Sequence, residues 1–181
     1  MSTFTYFAYG SNMLTSRLTA RCPSARVLGT AVAADHEVSF CLFSEIDHSG
    51  KAAIRAVPGR AAWGVLFEIA LDERPVLDRA ESAGTVYHRR DDFPVRFADG
   101  TDLPVTTYIP MVELGAHTPY DWYLALCLAG AEQNALPEET VSILRAHRAV
   151  VDPQPQRPGR LIALEALGAA GREDLPLQLA G

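Results

Sequence analysis

The sequence predicts an α+β fold, and three observations carry that prediction. Segments with the two-residue alternation of strands crowd the chain before Pro110. Helical spacing of apolar residues dominates only after Thr118. Between the strands no helix recurs at the regular interval that a parallel βαβ protein requires.

The elements follow in order. Thr3 to Tyr9 alternates around Phe4, Tyr6 and Ala8 and reads as a strand. Gly10 breaks it, and Ser11 or Asn12 is suited to cap a short helix through Leu18. Val27 to Ala33, Val38 to Ser44 and Ala52 to Val57 are β-like, and Pro58-Gly59 marks a turn before a further strand, Trp63 to Ile69. Asp72 opens a helical stretch ending near Glu81, with Gly84 as a stop signal. Val86 to Phe97 and Leu103 to Ile109 flank Asp99-Gly100 as a hairpin. Thr118-Pro119 is read as an N-cap with proline at the first helical position. Tyr120, Tyr123, Leu124, Cys127 and Leu128 then keep helical spacing to a stop near Asn134, and Pro137 starts another helix to about Arg148. The expected organisation is one domain over residues 1–150. Residues 151–181 form a proline-rich linker and C-terminal tail, in which Leu161 to Leu167 is a candidate docking helix.

Composition removes several function classes. The 181 residues are 48% apolar and 21% charged, with a formal net charge of −6 and a single lysine, Lys51. An acidic chain with scattered arginines lacks the basic footprint of a nucleic-acid binder. No apolar run approaches the roughly 20 residues of a membrane span, and Met1-Ser2-Thr3-Phe4 has no basic flank or apolar run of a secretory signal. The expected location is the cytoplasm. Cys22, Cys41 and Cys127 are far apart and odd in number, and the five histidines are equally dispersed. Neither a disulfide framework nor a zinc site is indicated by such spacing.

Two stretches carry the candidate chemistry. In Tyr6-Phe7-Ala8-Tyr9-Gly10-Ser11-Asn12-Met13 a strand stops at a glycine and turns directly into a helix, leaving main-chain N–H groups for an anion or a developing oxyanion. The plain alternative is that Ser11 is only a cap. The turn is neither a dinucleotide fingerprint nor a phosphate loop, since the further glycines and the Gly-Lys pair are missing. The second stretch is Asp78-Arg79-Ala80-Glu81. Its carboxylates are three residues apart and share a helical face, and Glu81 sits at the helix C-terminus, where the dipole opposes negative charge. The plain alternative is an exposed Glu81 on a surface turn, paired with Arg89 or Arg90.

Taken together and in order, these residues resemble the γ-glutamylcyclotransferases. Tyr6 through Asn12 is similar to the family's N-terminal signature. Trp63-Gly64-Val65-Leu66 resembles its central strand, and Asp78 to Glu81, followed by Tyr87, its acidic segment. Pro119 to Pro137, with Tyr123, Gly130-Ala131-Glu132, Asn134 and Leu136-Pro137, resembles its late helix and the turn beyond. The likeness spans about residues 4–150. It departs at Ser82, where the family glutamate is often followed by glycine, and at Ala135, where relatives carry glycine. Asn12 stands where the glutathione-specific branch carries leucine.

The resemblance implies a fold and a reaction. The fold is a small mixed, partly closed β-barrel with flanking helices, its pocket at the strand-turn-helix. The reaction is release of 5-oxoproline from a γ-glutamyl amino acid or amine by attack of the glutamyl α-amine on its own γ-carbonyl. Glu81 aligns with the family's catalytic glutamate, acting as general base and then acid. Tyr6, Phe7, Ala8, Tyr9, Gly10, Ser11 and Asn12 align with the loop that holds the glutamyl head, and Tyr123 with a further substrate contact. No cofactor or metal enters this scheme. The implied partner is a small γ-glutamyl substrate, with no nucleic acid or membrane, and the assembly state is open to a homodimer. Two readings compete: a non-catalytic domain of this fold that binds γ-glutamyl or other small molecules, and a Ser/Cys-His hydrolase, for which Ser11 lacks the nucleophile-elbow sequence.

Overall fold

Five strands close into a barrel because each carries one apolar face inward and none is left as an unpaired edge. The computed structural model describes residues 2–97 and 99–179. Its strands are β1 (Thr3–Ala8), β2 (Arg26–Ser44), β3 (Ser49–Ala70), β4 (Tyr87–Phe97) and β5 (Asp102–Pro110). They close in the order β1-β3-β2-β4-β5. β1 meets β5 in parallel through Tyr6 and Thr106, while all other neighbours run antiparallel, so the barrel is mixed.

The four short strands expected between Val27 and Ile69 are instead two long ones, β2 of 19 residues and β3 of 22. Pro58-Gly59 does not reverse the chain. It sits in an excursion of β3 opposite Asp35, where the register jumps from Ala34–Ala61 to His36–Ala56. Asp35 and Gly59 both take positive φ (56° and 77°), and Asp35 Oδ1 accepts the Gly59 N–H at 2.7 Å. Irregularities of this kind bend a ribbon, which lets one long hairpin curve around the barrel. The hairpin expected at Asp99-Gly100 joins β4 to β5, closed by Phe97 N–H to the Thr101 carbonyl at 2.8 Å.

Two apolar clusters result. Phe7, Tyr9, Ala33, Ile54, Leu66, Phe93 and Val105, drawn from all five strands, fill the barrel. The alternate face of β1, Phe4, Tyr6 and Ala8, belongs to a larger cluster beneath the helices. At its centre is α3 (Asp121–Gln133), buried continuously from Asp121 to Ala131. A helix enclosed on every side carries apolar residues all round. It begins two residues beyond Pro119, because the preceding chain is committed to an extended bridge: Asp121 N–H donates to the Val150 carbonyl (2.9 Å) and Val150 N–H to the Pro119 carbonyl (3.1 Å).

The later helices wrap α3. α4 (Glu138–Ala146) follows Pro137, and α5 (Pro158–Ala169) packs on α3 and on α1 (Thr15–Thr19), with Ser16 Oγ donating to the Ala166 carbonyl at 2.6 Å. The approach to α5 is tied by buried Asp152, which accepts from Trp122 Nε1 (2.9 Å) and from Arg157 Nε (2.7 Å). A short α6 (Leu175–Leu179) also lies on α3. Among the described residues no helix is long and apolar enough to cross a membrane.

Gly130 sets the position of the first turn relative to α3. A Cβ there would lie 2.4 Å from the Leu14 nitrogen and 2.6 Å from the Met13 carbonyl carbon. Replacing Gly130 with alanine is therefore expected to cost about 1–3 kcal/mol through overpacking against backbone; a urea unfolding midpoint equal to that of the parent protein would contradict this. The end of α3 makes the opposite prediction. Ala135 is exposed with φ 51°, at the left-handed position of a Schellman ending in which Ala135 N–H bonds the Glu132 carbonyl and Leu136 N–H bonds the Ala131 carbonyl. Ala135→Gly relieves the Cβ strain and should raise stability by about 0.5–1 kcal/mol in the same measurement.

Candidate active site

The first turn is built differently from a capped helix. Ser11–Met13 form a 3-10 turn, Leu14 is extended, and only then does α1 begin. Gly10 occupies the cap position, and neither Ser11 nor Asn12 makes a side-chain cap. The cap expected from Ser11 or Asn12 is replaced by a contact from outside: Thr15 N–H donates to Gln133 Oε1 of α3 at 3.0 Å. Both side chains are thereby freed for other partners. Among the described residues the N–H groups of Ser11 and Asn12 have no hydrogen-bond acceptor.

Asn12 is buried and joins three elements. Its Nδ2 donates to Glu81 Oε1 at 2.8 Å and to the Tyr6 hydroxyl at 3.2 Å, while its Oδ1 accepts from Arg21 Nη1 at 3.0 Å. Only one orientation of the amide satisfies a carboxylate and a guanidinium together. Arg21 Nη1 also reaches Glu81 Oε1, at 3.1 Å. One oxygen of Glu81 is thus held by two donors, whereas Oε2 has no hydrogen-bond partner among the described residues. The Glu81 side chain is 19% exposed, and its partner is Arg21 rather than Arg89 or Arg90.

The backbone behind Glu81 explains how a serine replaces glycine there. α2 (Arg74–Ala80) ends with Ser82 N–H on the Arg79 carbonyl (3.1 Å) and Ala83 N–H on the Asp78 carbonyl (2.9 Å). This is a Schellman ending with Ser82 in the left-handed conformation, φ 51°. The path that a glycine would take is therefore kept by Ser82. Asp78, on the same face, accepts from the Tyr108 hydroxyl at 2.8 Å and from Arg89 Nη1 at 2.5 Å, which pins the helix to the barrel. Because Asp78 and Asp91 engage Arg89, and Asp92 engages Arg90, neither arginine is left to pair with Glu81.

These groups surround a recess lined by Tyr6, Tyr9, Gly10, Ser11, Asn12, Glu81 and Tyr123, together with Ala52, Tyr87 and Tyr108. Phe7 and Ala8 are fully buried and do not line it: Phe7 fills the barrel and Ala8 packs beneath the helices. The inner recess measures about 30 Å³ and opens beside a cleft of about 450 Å³ with which it shares Ser11, Glu81, Tyr87 and Tyr123. Burial pushes the phenols of Tyr6, Tyr9, Tyr87, Tyr108 and Tyr123 above their ordinary range, and the charge of Glu81 adds to the rise at Tyr6 and Tyr87. At neutral pH the recess therefore presents neutral hydroxyls. Tyr9 donates to the Tyr108 carbonyl (2.6 Å), Tyr87 to the Ala52 carbonyl (3.1 Å), and Tyr123 accepts the Ala52 N–H (3.2 Å).

Arg17, Arg21, Lys51 and Tyr108 also line the site, although no motif in the sequence marks them. Arg17 and Arg21 are four apart and so share one helical side, a faint signal; the isolation of Lys51 as the sole lysine was another. Among the described residues no group of three or more His, Cys, Asp or Glu side chains is placed to hold a metal. Ser11 Oγ accepts from Arg17 Nε at 3.1 Å, and Cys22, Cys41 and Cys127 are free and buried.

The small mixed barrel thus carries a counter-charged carboxylate beside a turn whose main-chain donors are unpaired among the described residues. Residues 61–144 match the AIG2-like family. The chain is 32% identical to a mouse gamma-glutamylcyclotransferase over 80% of its length and 78% of the relative's, and 31% identical to the human protein over 79% and 78%. A solved gamma-glutamyl cyclotransferase structure superimposes with a TM-score of 0.79 at 27% identity, covering 89% of this chain and 98% of that one. The chain belongs to the γ-glutamylcyclotransferase family.

The thiols yield a prediction of their own. Burial pushes Cys127 up to about 12 and Cys22 up to about 11, so both remain thiols at pH 8. Iodoacetamide at pH 8 should label neither cysteine in the native protein and both in denaturant. Rapid native labelling of Cys127, read by peptide mass, would contradict the packing described.

Proposed function

We propose that this protein is a γ-glutamylcyclotransferase, releasing 5-oxoproline from a γ-glutamyl amino acid or γ-glutamyl amine without a cofactor. The observation that carries the reading is the arrangement of Glu81: one carboxylate oxygen held by Asn12 and Arg21, the other without a partner, beside free N–H groups at Ser11 and Asn12. The family relationship supports it. Three unpaired cysteines are ordinary in the reducing cytoplasm, where we place the protein.

In the proposed reaction the glutamyl α-ammonium gives a proton to Glu81 Oε2. The freed amine attacks its own γ-carbonyl carbon, forming the ring C–N bond, and the carbonyl oxygen becomes an oxyanion beside the turn amides. Collapse of that intermediate breaks the bond to the leaving nitrogen, which takes up the proton from Glu81, and the second proton that the ring nitrogen sheds in becoming the lactam N–H passes to the released amine, which departs as an ammonium. Nothing is consumed: one γ-glutamyl amide becomes 5-oxoproline and a free amine. The nucleophile is tethered to its electrophile, so closing a five-membered ring needs no covalent enzyme intermediate.

Glu81→Gln keeps the shape and the acceptor for Asn12 but cannot carry the proton. It is expected to lower kcat for 5-oxoproline release from γ-glutamyl dipeptides by about 10²–10⁴-fold, with an unchanged melting transition showing that the fold persists. Near-parental turnover would remove Glu81 as proton carrier. Binding of 5-oxoproline by a parent protein that turns over no γ-glutamyl compound would favour a purely binding domain.

A further inference from the structure

The cleft beside Glu81 carries three cations, and their counter-charges are unequal. Arg21 is engaged by Glu81. Lys51 donates from Nζ to Asp47 and to Ser49, each at 2.6 Å, and lies 4.6 Å from the centre of the Tyr123 ring. Arg17 is different. Its Nε donates to Ser11 Oγ, and among the described residues no carboxylate comes within ion-pairing distance of it. Burial, followed by the like charge of Arg21, pulls its pKa down to about 10, so it remains a cation at neutral pH. A half-buried guanidinium with no counter-ion is unfavourable until an anion arrives, and its planar fork suits a carboxylate.

The position of Arg17 fixes which part of a bound molecule it meets. Ser11, its partner, lines both the inner recess and the outer cleft, whereas Arg17 lines only the cleft. With the reacting carbonyl between Glu81 and the turn, the departing amine faces the wider cleft, which meets the recess at Ser11, Glu81, Tyr87 and Tyr123. The carboxylate of an α-amino acid lies only two bonds from the leaving nitrogen, within the short span between Ser11 and Arg17. Other walls of the cleft include apolar Leu42, Ile46 and Val112, and of its three acids Glu81 is engaged by Arg21 while Glu45 and Glu113 are exposed.

We propose that Arg17 is the specificity residue of the leaving side, taking the α-carboxylate of the amino acid released, so that discrimination for a free carboxylate at that position depends on this one guanidinium. The assignment rests on the cyclisation reading and specifies what that reading leaves open.

The test compares kcat/KM for γ-glutamylalanine and γ-glutamylalanine amide, which share the scissile bond and side chain and differ only in the terminal charge. The parent protein should favour the acid by about 10–100-fold, the worth of one charge-assisted contact. Arg17→Met should bring the ratio toward one, chiefly through KM for the acid, and Arg17→Lys should restore part of it. Equal efficiency of the parent protein on both compounds overturns the subsite alone, and needs no variant. An equal loss on both compounds in Arg17→Met also overturns it, reassigning Arg17 to the glutamyl head. Failure of the parent protein to release 5-oxoproline from either compound overturns the cyclisation reading and the subsite with it.

Discussion

The carboxamide of Asn12 is the contact on which the site depends. β1 delivers it, α2 supplies the carboxylate it holds, and α1 and the segment after it supply the guanidinium that holds its oxygen. The amide is therefore a joint between the end of a barrel strand and two separate helical pieces. A buried amide with donors and acceptors all engaged defines one geometry, because any other rotation leaves a polar group unpaired at a cost of about 1–3 kcal/mol. Main-chain contacts reinforce the joint from behind. Gly130 lets α3 approach the backbone of Met13 and Leu14, and Asn134 Nδ2 donates to the Met13 carbonyl at 2.9 Å.

Helix endings carry the same positional burden. α2 and α3 both finish in Schellman endings, with Ser82 and Ala135 in the left-handed conformation. Each holds its conformation without the glycine that would make it easy, at a strain of about 1 kcal/mol. At α2 the strained residue directly follows Glu81, and the carbonyl of Asp78 closes the ending while its side chain is clamped by Tyr108 and Arg89. The orientation of the last turn of a short helix is thereby over-determined, which is how a carboxylate can be held at a helix terminus that disfavours its charge.

Local features of the sequence were legible where local chemistry decides them. The alternation of β1, the Asp99-Gly100 hairpin and the stop of α3 at Asn134 each depend on a few adjacent residues. Pro58-Gly59 reads as a turn between two strands yet lies within one, because the same dipeptide serves a turn or a bulge and Asp35 on the opposite strand makes the choice. α3 starts later than Thr118-Pro119 suggests because the bridge to Val150, distant in sequence, keeps the chain at Pro119 and Tyr120 extended. At the site, Tyr6 through Asn12, Glu81 and Tyr123 were singled out by their likeness to a family, whereas the residues alone left Glu81 open to pairing with Arg89. What separates the two cases is the capture of Arg89 by Asp78, a side-chain contact no spacing rule contains. Phe7 and Ala8 came along as members of a contiguous signature, although strand alternation turns one side chain into the barrel and packs the other beneath the helices.

The two compartments divide charge in a way that suits the proposed reaction. The recess is walled by five phenols that burial keeps protonated, so it offers neutral groups and main-chain donors but no competing base. The adjoining cleft holds the cations Arg17, Arg21 and Lys51. An oxyanion that forms for a moment is best met by fixed neutral dipoles, which cost no reorganisation and do not bind the ground state as a salt. A permanent carboxylate on the substrate is best met by a full positive charge, which gives affinity throughout the reaction. On the proposed reading the turn amides, set in a wall of neutral tyrosines, serve the transition state, and the arginine-lined cleft serves substrate selection. Glu81 stands at the boundary because the proton it carries must pass from the nucleophile on one side to the leaving nitrogen on the other.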